Sequence, residues 1–121
     1  MDRYILIVED DEIQMRRYKD QWNELGTGIG ILLANSLQTA MSYYDNDNGQ
    51  IVGMIIDGAV PGSYLTTIPF IQMVRADRFP GIMVAASTRA DYRKTMVQYG
   101  CTHESEKRYA VKQLAKALTP Q

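Results

Sequence analysis

Cysteine and histidine each occur once in this 121-residue chain, as Cys101 and His103. A lone cysteine cannot close an intramolecular disulfide. A lone histidine has no second imidazole to share a metal ion, so the thiol and imidazole clusters that hold zinc are excluded. Basic side chains are not in excess either. The 13 Lys and Arg stand against 14 Asp and Glu, a formal net charge of −1, which gives no electrostatic case for direct nucleic-acid binding. Long hydrophobic runs are missing too. The apolar stretch after Met1-Asp2-Arg3 is too short for a signal peptide or a membrane span. The expectation is a cytoplasmic chain without membrane contact, with Cys101 buried as a small apolar side chain and His103 structural or exposed.

What the chain does contain is a core-forming composition, 45% apolar and 22% charged, in a length that suits one hydrophobic core. Residues 1–121 are therefore read as one domain. Tyr4 to Val8, Gly30 to Ala34, Ile51 to Ile56 and Ile82 to Ala86 are short, continuous and rich in β-branched residues, as strands buried on both faces are. Helical spacing separates them: Met15, Tyr18, Trp22 and Leu25; Leu37, Ala40, Met41 and Tyr44; Ile68, Ile71 and Val74; Tyr92 to Tyr99; and Tyr109 to Leu118, with Val111, Leu114 and Leu118 on one face. A fifth strand is expected near Cys101 to Ser105, although Thr102-His103-Glu104-Ser105-Glu106 is polar for a buried position. Gly26 is placed to end the first helix, and Thr88-Arg89-Ala90-Asp91 reads as a capping box opening the fourth. This alternation predicts an α/β fold, a three-layer, doubly wound, five-stranded parallel sheet whose ligand chemistry lies at the carboxyl ends of the strands.

Those ends carry Glu9-Asp10-Asp11 after the first strand, Asp57-Gly58 after the third, Ser87-Thr88 after the fourth and Lys107 beyond the fifth. Carboxylates brought together repel one another, which makes sense if a hard divalent cation sits among them. Mg²⁺ is the natural candidate where acids are present without thiols or imidazoles. Lys107 and Ser87 would then supply a positive charge and a hydroxyl for phosphoryl oxygens, with Asp57 as nucleophile. Each residue alone has a plainer explanation. The acids could favour a helix dipole, Asp57-Gly58 could be a turn, Ser87 could lead into a cap, and Lys107 could be a solvated lysine. Gly26-Thr27-Gly28-Ile29-Gly30 precedes a strand instead of following one, which argues against a nucleotide-binding loop.

Taken jointly, Tyr4-Ile5-Leu6-Ile7-Val8-Glu9-Asp10-Asp11, Ile55-Ile56-Asp57-Gly58-Ala59-Val60-Pro61-Gly62, Ser87 and Lys107 resemble the receiver (CheY-like) domains of two-component response regulators, and the resemblance covers essentially the whole chain. It implies a flavodoxin-like sheet of order 2-1-3-4-5. It also implies phosphorylation of Asp57 by a sensor histidine kinase or phosphotransfer protein, with Ser87 and Lys107 assisting. Mg²⁺ would be held by Glu9, Asp10, Asp57 and the backbone carbonyl of Ala59. The output surface implied is the fourth helix, fifth strand and fifth helix, including Thr88, Tyr92, Tyr99, Glu104, Arg108 and Tyr109, which would meet an output domain, an effector protein or a second copy of the chain. Receivers often continue into an output domain beyond a point like Pro120-Gln121, so a longer regulator and a stand-alone protein are both compatible.

Three positions depart from the family pattern. Glu104 stands where an aromatic usually lies three residues before the lysine. Arg108 replaces the proline that usually follows it with a cis bond, and a cis bond before a non-proline residue costs about 2.5–4 kcal/mol. Thr88 replaces a smaller residue beside the phosphorylation site. The expectation is retained phosphorylation chemistry with altered output coupling. A phosphorylation-independent receiver-like binding module is the competing reading, favoured by the polar fifth strand. A haloacid-dehalogenase-type hydrolase would need a second acid two residues after the nucleophile, where this chain has Ala59, so no turnover of an external substrate is expected. A flavin-binding module lacks its phosphate loop after the first strand.

Overall fold

The computed structural model of the chain describes residues 2–119; Met1, Pro120 and Gln121 lie outside the described residues. Strands and helices alternate along it as β1 (Tyr4–Val8), α1 (Glu12–Glu24), β2 (Gly30–Ala34), α2 (Leu37–Asp47), β3 (Ile51–Ile56), α3 (Ile68–Ala76), β4 (Ile82–Ala86), α4 (Ala90–Gln98), β5 (His103–Ser105) and α5 (Ala110–Leu118), with a 3₁₀ turn over Lys107–Tyr109. The five strands form one sheet in the order β2-β1-β3-β4-β5, and every neighbouring pair is parallel.

The continuous apolar strand sequences follow from burial on both faces. Ile5 and Ile7 of β1, Ile55 of β3 and Val84 and Ala86 of β4 pack with Tyr18 and Trp22 of α1 and Val111 and Leu114 of α5. The intervening Leu6, Val8, Met54, Ile56, Met83 and Ala85 face α2, α3 and α4 through Tyr44, Phe70, Ile71, Val74 and Met96. The alternation of side chains along each strand thus makes three layers out of one sheet. Trp22 also donates its indole N–H to the Ile29 carbonyl at 2.8 Å, which pins the turn entering β2. Leu114 lies so close to β3 that a Cβ on Gly53 would come within 2.7 Å of its Cδ1.

Several boundaries need comment. Gly26 ends α1 with a φ of 62°, as its position suggests. Leu25, expected on the apolar face of α1, is instead the C-cap residue and is 46% exposed, because the chain turns away there. β5 is shorter than the expected segment, and its polar sequence is explained by its place at the sheet edge, where Glu104 points to solvent. Before it, Thr102 is held by β4: its Oγ1 accepts from the Met83 N–H at 2.9 Å and its own N–H donates to the Met83 carbonyl at 2.9 Å. Cys101 is buried, and that burial pushes its thiol up to about 12. Among the described residues no helix is long and apolar enough to cross a membrane.

Candidate functional site

The parallel ladder fixes where the acids stand. Beyond the last paired residue of β1, the Glu9 N–H donates to the Ala34 carbonyl at 3.0 Å, and beyond β3 the Asp57 N–H donates to the Val8 carbonyl at 2.9 Å. Two adjacent strands therefore end together and deliver Glu9, Asp10 and Asp57 to one rim. One carboxylate oxygen from each lies within 4.8 Å of the other two. Asp11 is used differently. It is the N-cap of α1, its Oδ1 accepting the Ile13 N–H at 2.9 Å and the Gln14 N–H at 3.4 Å. The helix-dipole explanation fits Asp11, while Asp10 turns toward the loop after β3 and accepts the Gly62 N–H at 3.1 Å.

Two of the three acids are enclosed, Glu9 at 0% exposed and Asp57 at 7%, with Ser87 at 4% beside them, while Asp10 is half-buried. Burial raises the Glu9 carboxyl to about 7, the Asp57 charge adding to it and the bond from Lys107 opposing it. Burial likewise raises Asp57, against the neighbouring Lys107 charge. Lys107 reaches both from the 3₁₀ turn, its Nζ 2.8 Å from Glu9 Oε1 and 3.4 Å from Asp57 Oδ2. Burial pulls the Lys107 ammonium down, but the bond to Glu9 and the charges of Asp57 and Glu9 outweigh it, and the net shift is upward. The Lys107–Arg108 peptide is trans, since the cis bond among the described residues is Val60–Pro61. Arg108 itself turns outward, its Nε 3.5 Å from Glu106 Oε2 and its guanidinium over the Tyr109 ring.

Ser87, Thr88 and Ala59 complete the enclosure, lining with Asp57 and Lys107 a cavity of about 220 Å³. The capping box expected at Thr88 is not formed. Arg89 has extended backbone angles and is the N-cap of α4, with no side-chain cap bond, and the hydroxyl that engages the loop is that of Ser87, which accepts the Arg89 N–H at 3.2 Å. Asp91, expected to reach back to Thr88, instead pairs with Arg89 at 2.7 Å. Tyr92, on the same helix turn, donates its hydroxyl to the Ser63 carbonyl at 3.0 Å and so joins α4 to the loop after β3.

Two contributors escaped the sequence reading. Gly62 supplies the N–H that holds Asp10, and a loop amide carries no sequence signal for that task. Arg93 donates to the Ser87 carbonyl at 2.6 Å and pairs with Glu104 at 3.3 Å. Its role depends on β5 lying beside β4, which only the sheet order supplies. Within the expected output surface Tyr99 and Tyr109 are exposed at 42% and 50%, whereas Tyr92 and Glu104 are engaged as described. His103 shares a 2.8 Å hydrogen bond with the Thr102 hydroxyl.

Fold and rim together define a flavodoxin-like α/β protein with an acidic strand-end pocket, the architecture of response-regulator receiver domains. The chain resembles a response regulator receiver domain from Rhodospirillum rubrum at 16% identity and a TM-score of 0.76, over 97% of this chain and 95% of that one. A two-component response regulator from Legionella pneumophila aligns at 16% identity and a TM-score of 0.75, covering 96% and 95%. A response regulator protein from Burkholderia pseudomallei, solved with a phosphorylated aspartic acid, a calcium ion and citrate, aligns at 15% identity and a TM-score of 0.75, covering 98% of this chain and 67% of that one. No protein-family model and no curated protein sequence matches the chain.

Proposed function

We propose that residues 1–121 form a phosphoacceptor receiver domain that takes a phosphoryl group onto Asp57 in two-component phosphorelay signalling. One observation carries the reading. Glu9, Asp10 and Asp57 offer oxygens within 4.8 Å of one another at the ends of adjacent strands, with Lys107 Nζ 3.4 Å from Asp57 Oδ2. Such a donor set is hard, anionic and free of sulfur and nitrogen ligands, which fits Mg²⁺. Glu9, Asp10, Asp57 and the Ala59 carbonyl would hold it, and when bound it supplies charge neutralisation at the phosphoryl oxygens.

A carboxylate oxygen of Asp57 attacks phosphorus, the bond from phosphorus to the donor breaks, and the leaving group departs with that electron pair. Lys107 offsets the negative charge on the group transferred, and the Ser87 hydroxyl donates to one of its oxygens. The donor is a phosphohistidine on a sensor kinase or phosphotransfer protein. The result is read in the cytoplasm by an output domain, an effector or a second copy through the surface of α4, β5 and α5, with Thr88, Glu104, Arg108 and Tyr109 in it. Ala59, at the place of the second acid of a hydrolase, leaves Asp57 without a partner for turnover of an external substrate.

The test is intact mass after incubation with Mg²⁺ and a small-molecule phosphodonor. The expected result is a gain of one phosphoryl group that requires Mg²⁺ and is lost in Asp57→Asn. The 2.8 Å bond from Lys107 to Glu9 favours a second reading, because it compensates the buried acid from within the chain. A folded protein that takes no phosphoryl group from a donor competent on another receiver establishes that reading, a phosphorylation-independent binding module.

A further inference from the structure

The two edges of the sheet differ in kind. β5, at one edge, is the polar His103-Glu104-Ser105, with Glu104 ion-paired to Arg93 at 3.3 Å. β2, at the other, is Gly30-Ile31-Leu32-Leu33-Ala34, without a charged residue or a proline. An edge strand leaves a row of backbone groups unpaired, and charge or proline commonly keeps other strands off it. β2 has neither. Its first four residues are half-buried, whereas Ile5, Leu6, Ile7 and Val8 of the neighbouring β1 are fully buried, so solvent reaches this edge.

The register with β1 fixes which groups of β2 are free. The Gly30 N–H donates to the Arg3 carbonyl at 2.9 Å, and the Ala34 carbonyl accepts the Glu9 N–H at 3.0 Å. In a parallel ladder the N–H and C=O of one residue point to the same side, and the side alternates along the strand. Gly30, Leu32 and Ala34 therefore bond to β1, opposite Tyr4, Leu6 and Val8, and Ile31 and Leu33 turn both groups outward. Among the described residues no strand lies beyond β2 to receive them. A second β2, running antiparallel about a two-fold axis through Leu32, would receive all of them. Ile31 then faces Leu33 of the second copy, Leu33 faces its Ile31, and each pair exchanges two N–H to C=O bonds. Gly30 falls opposite Ala34, small against small. Such an axis stands perpendicular to the sheet and aligns equivalent faces. Ile31 and Leu33, which pack on the side of α1, meet their counterparts there, and Leu32, on the side of α2, meets its own.

We propose that β2 is a dimerisation edge, at which a second copy of this chain adds antiparallel and joins two five-stranded sheets into one. The occupant is a second copy because the strand complements itself in hydrogen-bonding register, in residue size and in lack of charge. Pairing β2 with β5 of another molecule would be head-to-tail and would not close, and it would set a short charged strand against an apolar one. The inference goes beyond the phosphoacceptor reading and does not require it. In the joined sheet β4 and β5 lie at the far ends, so the surface of α4 and β5 stays open to other contacts.

The experiment is backbone amide hydrogen exchange of the whole chain, read residue by residue at low micromolar and at near-millimolar concentration, with the mass in solution measured by sedimentation at both. The expected result is a dimer whose Ile31 and Leu33 amides become protected as concentration rises, while those of Leu32 and Ala34, already bonded to β1, are protected throughout. Ile31→Pro removes an outward N–H that β1 does not use, and is expected to weaken the dimer about tenfold or more. Where that variant fails to fold, the exchange pattern of the wild-type chain decides. A dimer whose Ile31 and Leu33 amides still exchange freely is built on another surface and overturns the inference. A chain that stays monomeric at the higher concentration overturns it too, and leaves the edge to a strand of a different protein or to none. Neither outcome touches the phosphoacceptor reading, which stands or falls on the mass gain at Asp57.

Discussion

Neighbouring acids in this chain perform unlike tasks, and side-chain direction separates them. Asp11 caps α1, whereas Asp10 faces Glu9 and Asp57. Asp11→Ala should cost about 1 kcal/mol of stability in urea unfolding and leave Mg²⁺ affinity unchanged. Asp10→Ala should lower Mg²⁺ affinity at least tenfold with a smaller effect on unfolding, measured by titration of the intrinsic fluorescence. The sequence presented both as members of one acidic run, since nothing in Glu9-Asp10-Asp11 says where the first helical turn begins. At Thr88 the same kind of ambiguity misled the reading. Its spacing to Asp91 fits a capping box, but Arg89 stays extended and claims Asp91 for itself. The positions of Asp57 and Ser87 were legible because the ends of β3 and β4, which place them, follow directly from apolar runs, whereas Lys107 follows the polar β5.

Strands buried on both faces were readable to their end residues for the same reason: burial dictates apolar, often β-branched continuity, which polar residues end. β5 was harder, because an edge strand need not be apolar and only Cys101 and Thr102 lead into it. The start of α5 shifted as well, since Lys107–Tyr109 forms a 3₁₀ turn before the α-helix begins. That helix is anchored by Leu114, which is fully buried over Gly53. Leu114→Ala should therefore cost about 2–5 kcal/mol in urea unfolding. Because α5 follows directly on the turn carrying Lys107, the phosphoacceptor function proposed above predicts slower phosphoryl acceptance by this variant under conditions where it remains folded.

Over the whole molecule, the enclosed acids make stability depend on both pH and cation. The Glu9 carboxyl is raised from 4.5 to about 7 in the folded chain, so the native state holds a proton that the unfolded chain releases. Its contribution is fully present below about pH 4.5 and is lost as pH rises to about 7. Without divalent cations the thermal midpoint should fall across that window, by at most about 1.4 kcal/mol of stability per pH unit from this group. The raised Asp57 acts in the same direction. On the proposal that the site takes Mg²⁺, the ion would bind the ionised form and should restore the midpoint at pH 7.5 while doing little at pH 4.5. A flat pH profile, or equal Mg²⁺ effects at both values, would contradict this account.

Burial of Cys101 has a practical corollary. The thiol is shielded and its ionisation is pushed to about 12, so maleimide and disulfide reagents meet almost no thiolate at neutral pH. The native sequence is therefore a silent background for site-specific labelling. A dye attached through Tyr109→Cys would report from the 3₁₀ turn that leads into α5 alone, with the native thiol left in place to pack the core.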